Sequence, residues 1–348
     1  MAARACPTKV ESGSVERQAT TRKPGPVRRF CLRRTGSRRW LAALALAAFG
    51  WGAAAADTLR VAVMADMNGP YGATRYHDDV AGAVRRIAAL GPDLVILDGD
   101  MVAGQQRPSL GEARIRAMWA AFHKTVTDPL DRAGIPVAPA PGNHDASARR
   151  GFELERQIYA AEWSARKPAV RWIDAGHYPF YYAFRVDGVL FVGLDATTSG
   201  RLADAQISWL AKILPGRGGR ATVVFGHMPL WPLTQGRERE VIADPRLKAL
   251  FEQHGVSAYL SGHHHAFYAG AAGGVLYVAN ASLGGERRRI VGQDRTAPHG
   301  ITLIEIADDG GLTVRPYVAP GFTTALAAET LPKAITSPLG TLGRIDLR

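Results

Sequence analysis

Five short apolar runs of this chain end in residues that can ligate a metal or move a proton. Asp66, Asp100, the trio Asn143-His144-Asp145, His227 and the trio His263-His264-His265 stand at those ends. A single Asp or Asn there is more often a turn former. A shared metal site accounts for all five ends together. Imidazole nitrogen with carboxylate or amide oxygen, and no thiolate, suits Zn²⁺, Fe, Mn²⁺ or Ni²⁺. Two such ions about 3.5–4 Å apart need a bridging ligand, which one Asp can supply; the pair clamps a phosphate and lowers the pKa of a water. A neighbouring His can then protonate the departing alkoxide.

The elements that must hold these residues are legible in the pattern. The runs span 59–66, 93–100, 135–145, 221–229 and 256–265, rich in Val, Leu and Ala. Continuous apolar runs of that length suit strands buried on both faces. Helical patterns over 74–90, 112–130, 203–214 and 239–254 lie between them. Strand–helix alternation predicts an α/β sheet, and in such sheets sites form outside the carboxyl ends of the strands. Residues 180–196 read as two β runs around Asp187-Gly188, a hairpin signal. With 274–282 and 300–318 they predict a second, partly antiparallel sheet. The aromatic segment 177–184 reads as core hairpin rather than substrate platform.

Taken in order, Asp66, "GD" (99–100), "GNHD" (142–145), "GH" (226–227) and "GHHH" (262–265) resemble the calcineurin-like metallophosphoesterase superfamily over roughly residues 59–282. The resemblance implies a four-layer α/β/β/α sandwich, two mixed sheets flanked by helices, with a dinuclear centre between the loops. It implies two divalent or trivalent metal ions, Mn, Fe or Zn. Asp100 would bridge them. Asn143, His227 and His263 would complete one metal, and Asp66 and His265 would bind the other. His144 would be the general acid, with Asp145 orienting it through a hydrogen bond. Gly99, Gly142, Gly226 and Gly262 each precede a ligand, where the lack of Cβ allows a close approach. In the triple histidine, alternate residues can face the same side. His263 and His265 are expected at the metals and His264 away from them, in solvent or a hydrogen bond, so that His264→Ala would be mild.

The family's first motif usually carries a His two residues after its Asp, and here Asn68 stands in that place. Three readings stay open. Asn68 ligates directly or through water; Tyr71 approaches the metal instead; or Asn68-Gly69 only makes a turn and one metal is held loosely. His77, His123, His177, His254 and His299 sit at no strand end and read as surface, helix or loop histidines. The Arg cluster 287–289 reads as a solvated basic loop that could reach substrate phosphate.

The formal charge of +12 suggests a polyanionic partner until it is located. Of 43 Lys/Arg and 31 Asp/Glu, 11 and 2 fall in residues 1–56, which leaves 32 against 29 for the remainder. A nearly balanced body offers no evident nucleic-acid surface. Both cysteines, Cys6 and Cys31, also precede residue 57, so the body has no disulfide or Cys-based site. Residues 37–56 run from Arg38-Arg39 through a short apolar stretch to Ala54-Ala55-Ala56. That layout is an export signal of twin-arginine type rather than a permanent span. The expected organisation is a basic region and signal (1–56), a metallophosphoesterase domain (57–318) and a surface tail (319–348). The protein is expected in the periplasm or outside the cell, acting on mono- or diesters of phosphate with no stable membrane span. The alternative is a degenerate member serving as a metal-binding or interaction scaffold.

Overall fold

Residues 58–216 and 218–347 are described by the structure, a computed structural model. The expected signal over 1–56 lies outside them. The first apolar runs become β1 (Leu59–Met64), β2 (Leu94–Leu97) and β3 (Val137–Pro139), paired in parallel. β11 (Gly300–Ile306) adds antiparallel to β1, followed by β12 (Leu312–Val318) and β13 (Thr324–Ala325). This six-stranded sheet is mixed.

The second sheet centres on β6 (Val189–Gly193), β7 (Thr222–Phe225), β8 (Ala258–Ser261) and β10 (Val275–Ala279), all parallel. On one side β5 (Tyr181–Val186) and β4 (Arg171–His177) continue it antiparallel. On the other side stand β9 (Tyr268–Ala272), β15 (Gly340–Arg344) and β14 (Ala334–Ser337). The β5–β6 hairpin turns at Asp187 and Gly188, with φ of 43° and 74°, the left-handed pair such two-residue turns require.

Side-chain alternation sorts these strands into four layers. Ala62, Met64, Val95 and Leu97 pack against α1 (Asp78–Leu90), α2 (Glu112–Phe122) and α5 (Glu153–Ala165) through Val84, Trp119 and Ile158. Val61, Val63 and Ile96 turn the other way and share a core with Tyr182, Phe184 and Phe225. The Tyr182 hydroxyl crosses between sheets to donate to the Pro139 carbonyl at 2.6 Å. The aromatic segment is thus core, as expected. Beyond the second sheet, Tyr259 meets Phe251 of α7 (Pro245–Gln253), and Tyr181 meets Trp209 of α6 (Asp204–Ile213). None of the helices among the described residues is long and apolar enough to cross a membrane.

Two expectations need correction, and one helix answers to none of the patterns read from the sequence. The helix predicted over 239–254 begins at Pro245, capped by the Asp244 side chain on the Arg246 amide. Proline suits the first helical position and Asp the cap, so residues 234–244 are a loop. The helix α5 was not among the clearest sequence patterns. The surface tail over 319–348 is instead a sheet edge: β14 and β15 form a hairpin, β15 pairs with β9, and Ile335 and Leu342 are buried in the core.

Candidate metal centre

The strand ends converge. Asp66 and Asp100 follow β1 and β2, Asn143 opens the short α4 (Asn143–Ala146), and His227, His263 and His265 follow β7 and β8. Asp66, Asp100, His263 and His265 all have positive φ, between 50° and 64°. Non-glycine residues in that region cost energy and concentrate at functional sites. Gly99, with φ of 86°, needs its freedom too, and a Cβ there would lie 2.6 Å from His227 Nδ1. At Gly262 the constraint is space, since a Cβ would come within 2.7 Å of Asp66 Oδ2. Gly226 is less constrained, a Cβ there lying 3.2 Å from the Tyr259 hydroxyl.

Hydrogen bonds set the ring tautomers. His227 Nδ1 donates to the Asp98 carbonyl at 2.7 Å, so its Nε2 presents a lone pair. His263 Nε2 donates to the Glu240 carboxylate at 2.9 Å, so its Nδ1 does likewise. Those two lone pairs lie 3.2 Å apart. Asn143 Oδ1 is 2.9 Å and Asp100 Oδ2 3.3 Å from His227 Nε2. Four acceptors facing one another repel unless a cation or proton sits among them. The same logic holds next door. His265 Nδ1 donates to the Glu286 carbonyl at 2.6 Å, which turns Nε2 onto Asp66 Oδ1 at 3.1 Å. The Asn68 amide oxygen is buried without a hydrogen-bond partner. Tyr71 is exposed, with its ring 5.4 Å from that of His144 rather than in this cluster. The donor set therefore fits metal ions of the Mn, Fe or Zn class.

The electrostatics agree. Burial would push His227 down, yet the Asp100 and Asp66 carboxylates hold it up at about 10, so without an ion a proton on Nε2 takes the cation's place and a metal would displace it. Burial alone would raise Asp100, but His227 and His144 hold it far below the usual carboxylate range. The centre attracts positive charge. His263, pushed down to about 4 by burial despite its bond to Glu240, stays neutral and able to ligate.

His144 donates from Nδ1 to the Gly104 carbonyl at 2.9 Å, and its Nε2 lies 3.9 Å from Asp100 Oδ2. Its amide donates to Asp100 Oδ1 at 2.8 Å. Asp145 does not orient His144. Its carboxylate accepts the amides of Met101 and Val102 at 2.7 and 2.8 Å and of Gly142 at 3.0 Å. It locks the loop after Asp100 to the loop before Asn143, because three converging N–H donors outcompete an adjacent ring. Burial and the Asp100 charge push Asp145 up to about 8.

Sequence reasoning missed two residues here. Gln105 accepts from Asn143 Nδ2 at 2.8 Å, which aims the amide oxygen of Asn143 at His227. Glu240 holds His263, and its pKa is pulled down to about 2 by that bond together with Arg237. Both border a cleft of about 180 Å³, as do His144, Arg149, Arg237 and Arg288. Of the 287–289 arginines, only Arg288 reaches this cleft; its guanidinium donates to the His263 carbonyl at 2.6 Å. A larger cavity of about 660 Å³, around Trp163 and Arg166, includes none of these residues.

Comparison with known proteins bears on this geometry. Residues 59–267 match the family model of the calcineurin-like phosphoesterases. Tartrate-resistant acid phosphatase type 5 of Rattus norvegicus is 25% identical over 285 residues, covering 77% of this chain and 85% of that protein. The Mus musculus protein of the same name is 24% identical over 307 residues, 82% of this chain and 90% of its own. A purple acid phosphatase from yellow lupin (Lupinus luteus) seeds superposes with a TM-score of 0.57 at 16% identity. That match covers 76% of this chain and 52% of the lupin chain, and shows the fold.

Proposed function

This chain belongs to the calcineurin-like phosphoesterase family, and from that premise we propose that it is an exported hydrolase of small phosphate esters with His144 as general acid. Asn143, His227 and His263 would hold one metal ion, Asp66, Asn68 and His265 the other, and Asp100 both. Bound there, the ions supply Lewis acidity toward the phosphate and a nucleophilic oxygen at neutral pH. The convergence of four potential ligand atoms on one point, where only a positive charge relieves their repulsion, is the observation that carries this reading.

The chain's own residues do the rest. Arg149, Arg237 and Arg288 place guanidinium groups around the cleft, where they would neutralise and orient an anionic ester. His144, held at Nδ1 by the Gly104 carbonyl, keeps Nε2 as the atom that gives its proton to the leaving oxygen. Asp145 keeps the two loops in register so that this nitrogen stays beside Asp100. The acid phosphatase names of the rat and mouse relatives also favour phosphomonoesters.

The test is turnover of p-nitrophenyl phosphate and of bis-p-nitrophenyl phosphate by purified protein supplied with Mn²⁺, Fe or Zn²⁺. Asp100→Ala should remove most of the activity with either ester, whereas His144→Ala should lower it least where the leaving group needs no proton. No turnover with any metal would favour the scaffold alternative. Export rests on residues 37–56. A reporter carrying residues 1–56 should leave the cytoplasm, and Arg38→Lys with Arg39→Lys should retain it if the route is twin-arginine.

A further inference from the structure

His77 and His299, read from the sequence as surface and loop histidines, meet at one carboxylate. Asp79 Oδ2 lies 2.8 Å from His299 Nδ1 and 3.3 Å from His77 Nδ1. The two rings are edge to face with centroids 5.0 Å apart. One ligand atom from each of the three residues falls within 4.8 Å of the others.

The other nitrogen of His299 decides what this cluster can do. His299 Nε2 donates to the Gly285 carbonyl at 3.1 Å. A backbone carbonyl on one ring nitrogen is the arrangement that fixes a ligating histidine, because it leaves the opposite nitrogen as a lone pair. The His299 Nδ1 lone pair then faces a carboxylate oxygen at hydrogen-bond distance, which needs a positive charge between them. His77 Nδ1 accepts the Asp79 amide at 3.2 Å, a long cap bond that it would exchange for the ion. Two imidazoles and one carboxylate, with no thiolate, form a borderline donor set. His299 is buried and fixed, whereas His77 is exposed and leaves room for water ligands.

We propose that His77, Asp79 and His299 form a second metal site, separate from the centre around Asp100, that takes a Zn²⁺-class divalent ion. It adjoins the first centre without sharing a ligand. Gly285, which accepts from His299, donates its own amide to the Asp66 carbonyl at 3.0 Å.

The test is zinc stoichiometry of the full chain after loading and desalting, by elemental analysis and by calorimetric titration. Wild type should hold one equivalent more than His77→Ala, a substitution at an exposed helix cap that leaves the core untouched. The affinity of that equivalent should fall at least about tenfold in His299→Ala and Asp79→Asn. Anomalous scattering at the zinc edge should place an ion among the three side chains. Equal stoichiometry in wild type and His77→Ala, or zinc only at the Asp100 centre, would overturn the proposal. Loss of activity in the Asp100 variants would not touch it, so the two readings fail separately.

Discussion

His264 is tied to Glu240 through the main chain, its Nε2 donating to the Glu240 carbonyl at 3.0 Å. Its Nδ1 accepts the Leu233 amide at 3.0 Å, so both ring nitrogens grip the loop before α7. The preceding residue, His263, holds the other end of Glu240 by its carboxylate. His264 is fully buried, and burial pushes its pKa down to about 3, which keeps one neutral tautomer in place. The mild outcome expected for His264→Ala from sequence therefore changes. Truncation strands a buried amide and a part-buried carbonyl and opens a cavity. It should cost about 2–4 kcal/mol of stability, read as a lower urea midpoint. An unchanged midpoint would show that the loop does not depend on this ring.

Glu240→Gln separates orientation from charge. The amide can still accept from His263 Nε2, but it no longer favours the developing charge on a ligating ring. Partners of this kind typically contribute about 10–100-fold to metal affinity. Metal titration of Glu240→Gln should show a loss of that order, with circular dichroism unchanged. Affinity equal to wild type would mean that Glu240 serves the arginines of the cleft instead.

What could be read from the chain, and what could not, follows from how far each feature reaches. Asp66, Asp100, His227, His263 and His265 were legible because each closes a local apolar run, and their convergence follows from the α/β rule. Glu240 was not, because its role depends on a loop folding back across the β8 end. The Asp244-Pro245 pair was the available signal, a cap and first-turn proline that should have ended the loop there. Asp145 misled through chain adjacency to His144, although three amides from two other segments claim its oxygens. The β14–β15 hairpin hid because few of its side chains are buried, so its periodicity is faint.

General acid catalysis by His144 predicts a dependence on the leaving group. A good leaving group such as p-nitrophenolate needs little protonation, whereas a simple alkoxide needs it fully. His144→Ala should lower kcat by roughly 10²–10⁴ for an alkyl phosphate and by much less for p-nitrophenyl phosphate. Equal losses on both substrates would assign His144 to binding rather than proton transfer.

Asn68 offers a direct measurement of the weaker half of the centre. Its amide oxygen is buried without a partner, the condition of a ligand rather than of a turn residue. Asn68→Ala should lower the occupancy of the Asp66–His265 ion while the Asp100–His227–His263 ion is retained, so metal content falls by up to one equivalent. Asn68→His should tighten the second ion, because imidazole is the stronger ligand for Zn²⁺ and Fe. Unchanged stoichiometry in Asn68→Ala would assign Asn68 to the turn alone.

Acid sensitivity should arise partly far from the centre, at His123. This residue opens a π-helical turn (His123–Thr127) between α2 and α3 (Asp128–Arg132), against Trp119, Phe122 and Trp163. The turn precedes Pro129, which cannot continue the helical bonding. His123 Nδ1 bonds the Thr127 hydroxyl at 2.8 Å. Burial, with Arg166 nearby, pushes the pKa of His123 from 6.5 down to about 4, against the Asp128 charge and with the Glu162 carboxylate 3.3 Å from Nε2. The unfolded chain therefore takes up a proton that the folded chain refuses. Stability contributed by the neutral ring is present above pH 6.5 and is lost as pH falls through about 4. After allowance for partial solvent screening the loss is on the order of 2 kcal/mol. His123→Phe keeps an aromatic ring in the same apolar setting and removes the titration. Between pH 7.5 and pH 4.5 the urea midpoint of wild type should fall further than that of His123→Phe. Ligand carboxylates and histidines of the metal centre titrate alike in both proteins, so the difference isolates this ring. Parallel declines would place the acid sensitivity entirely at the metal centre.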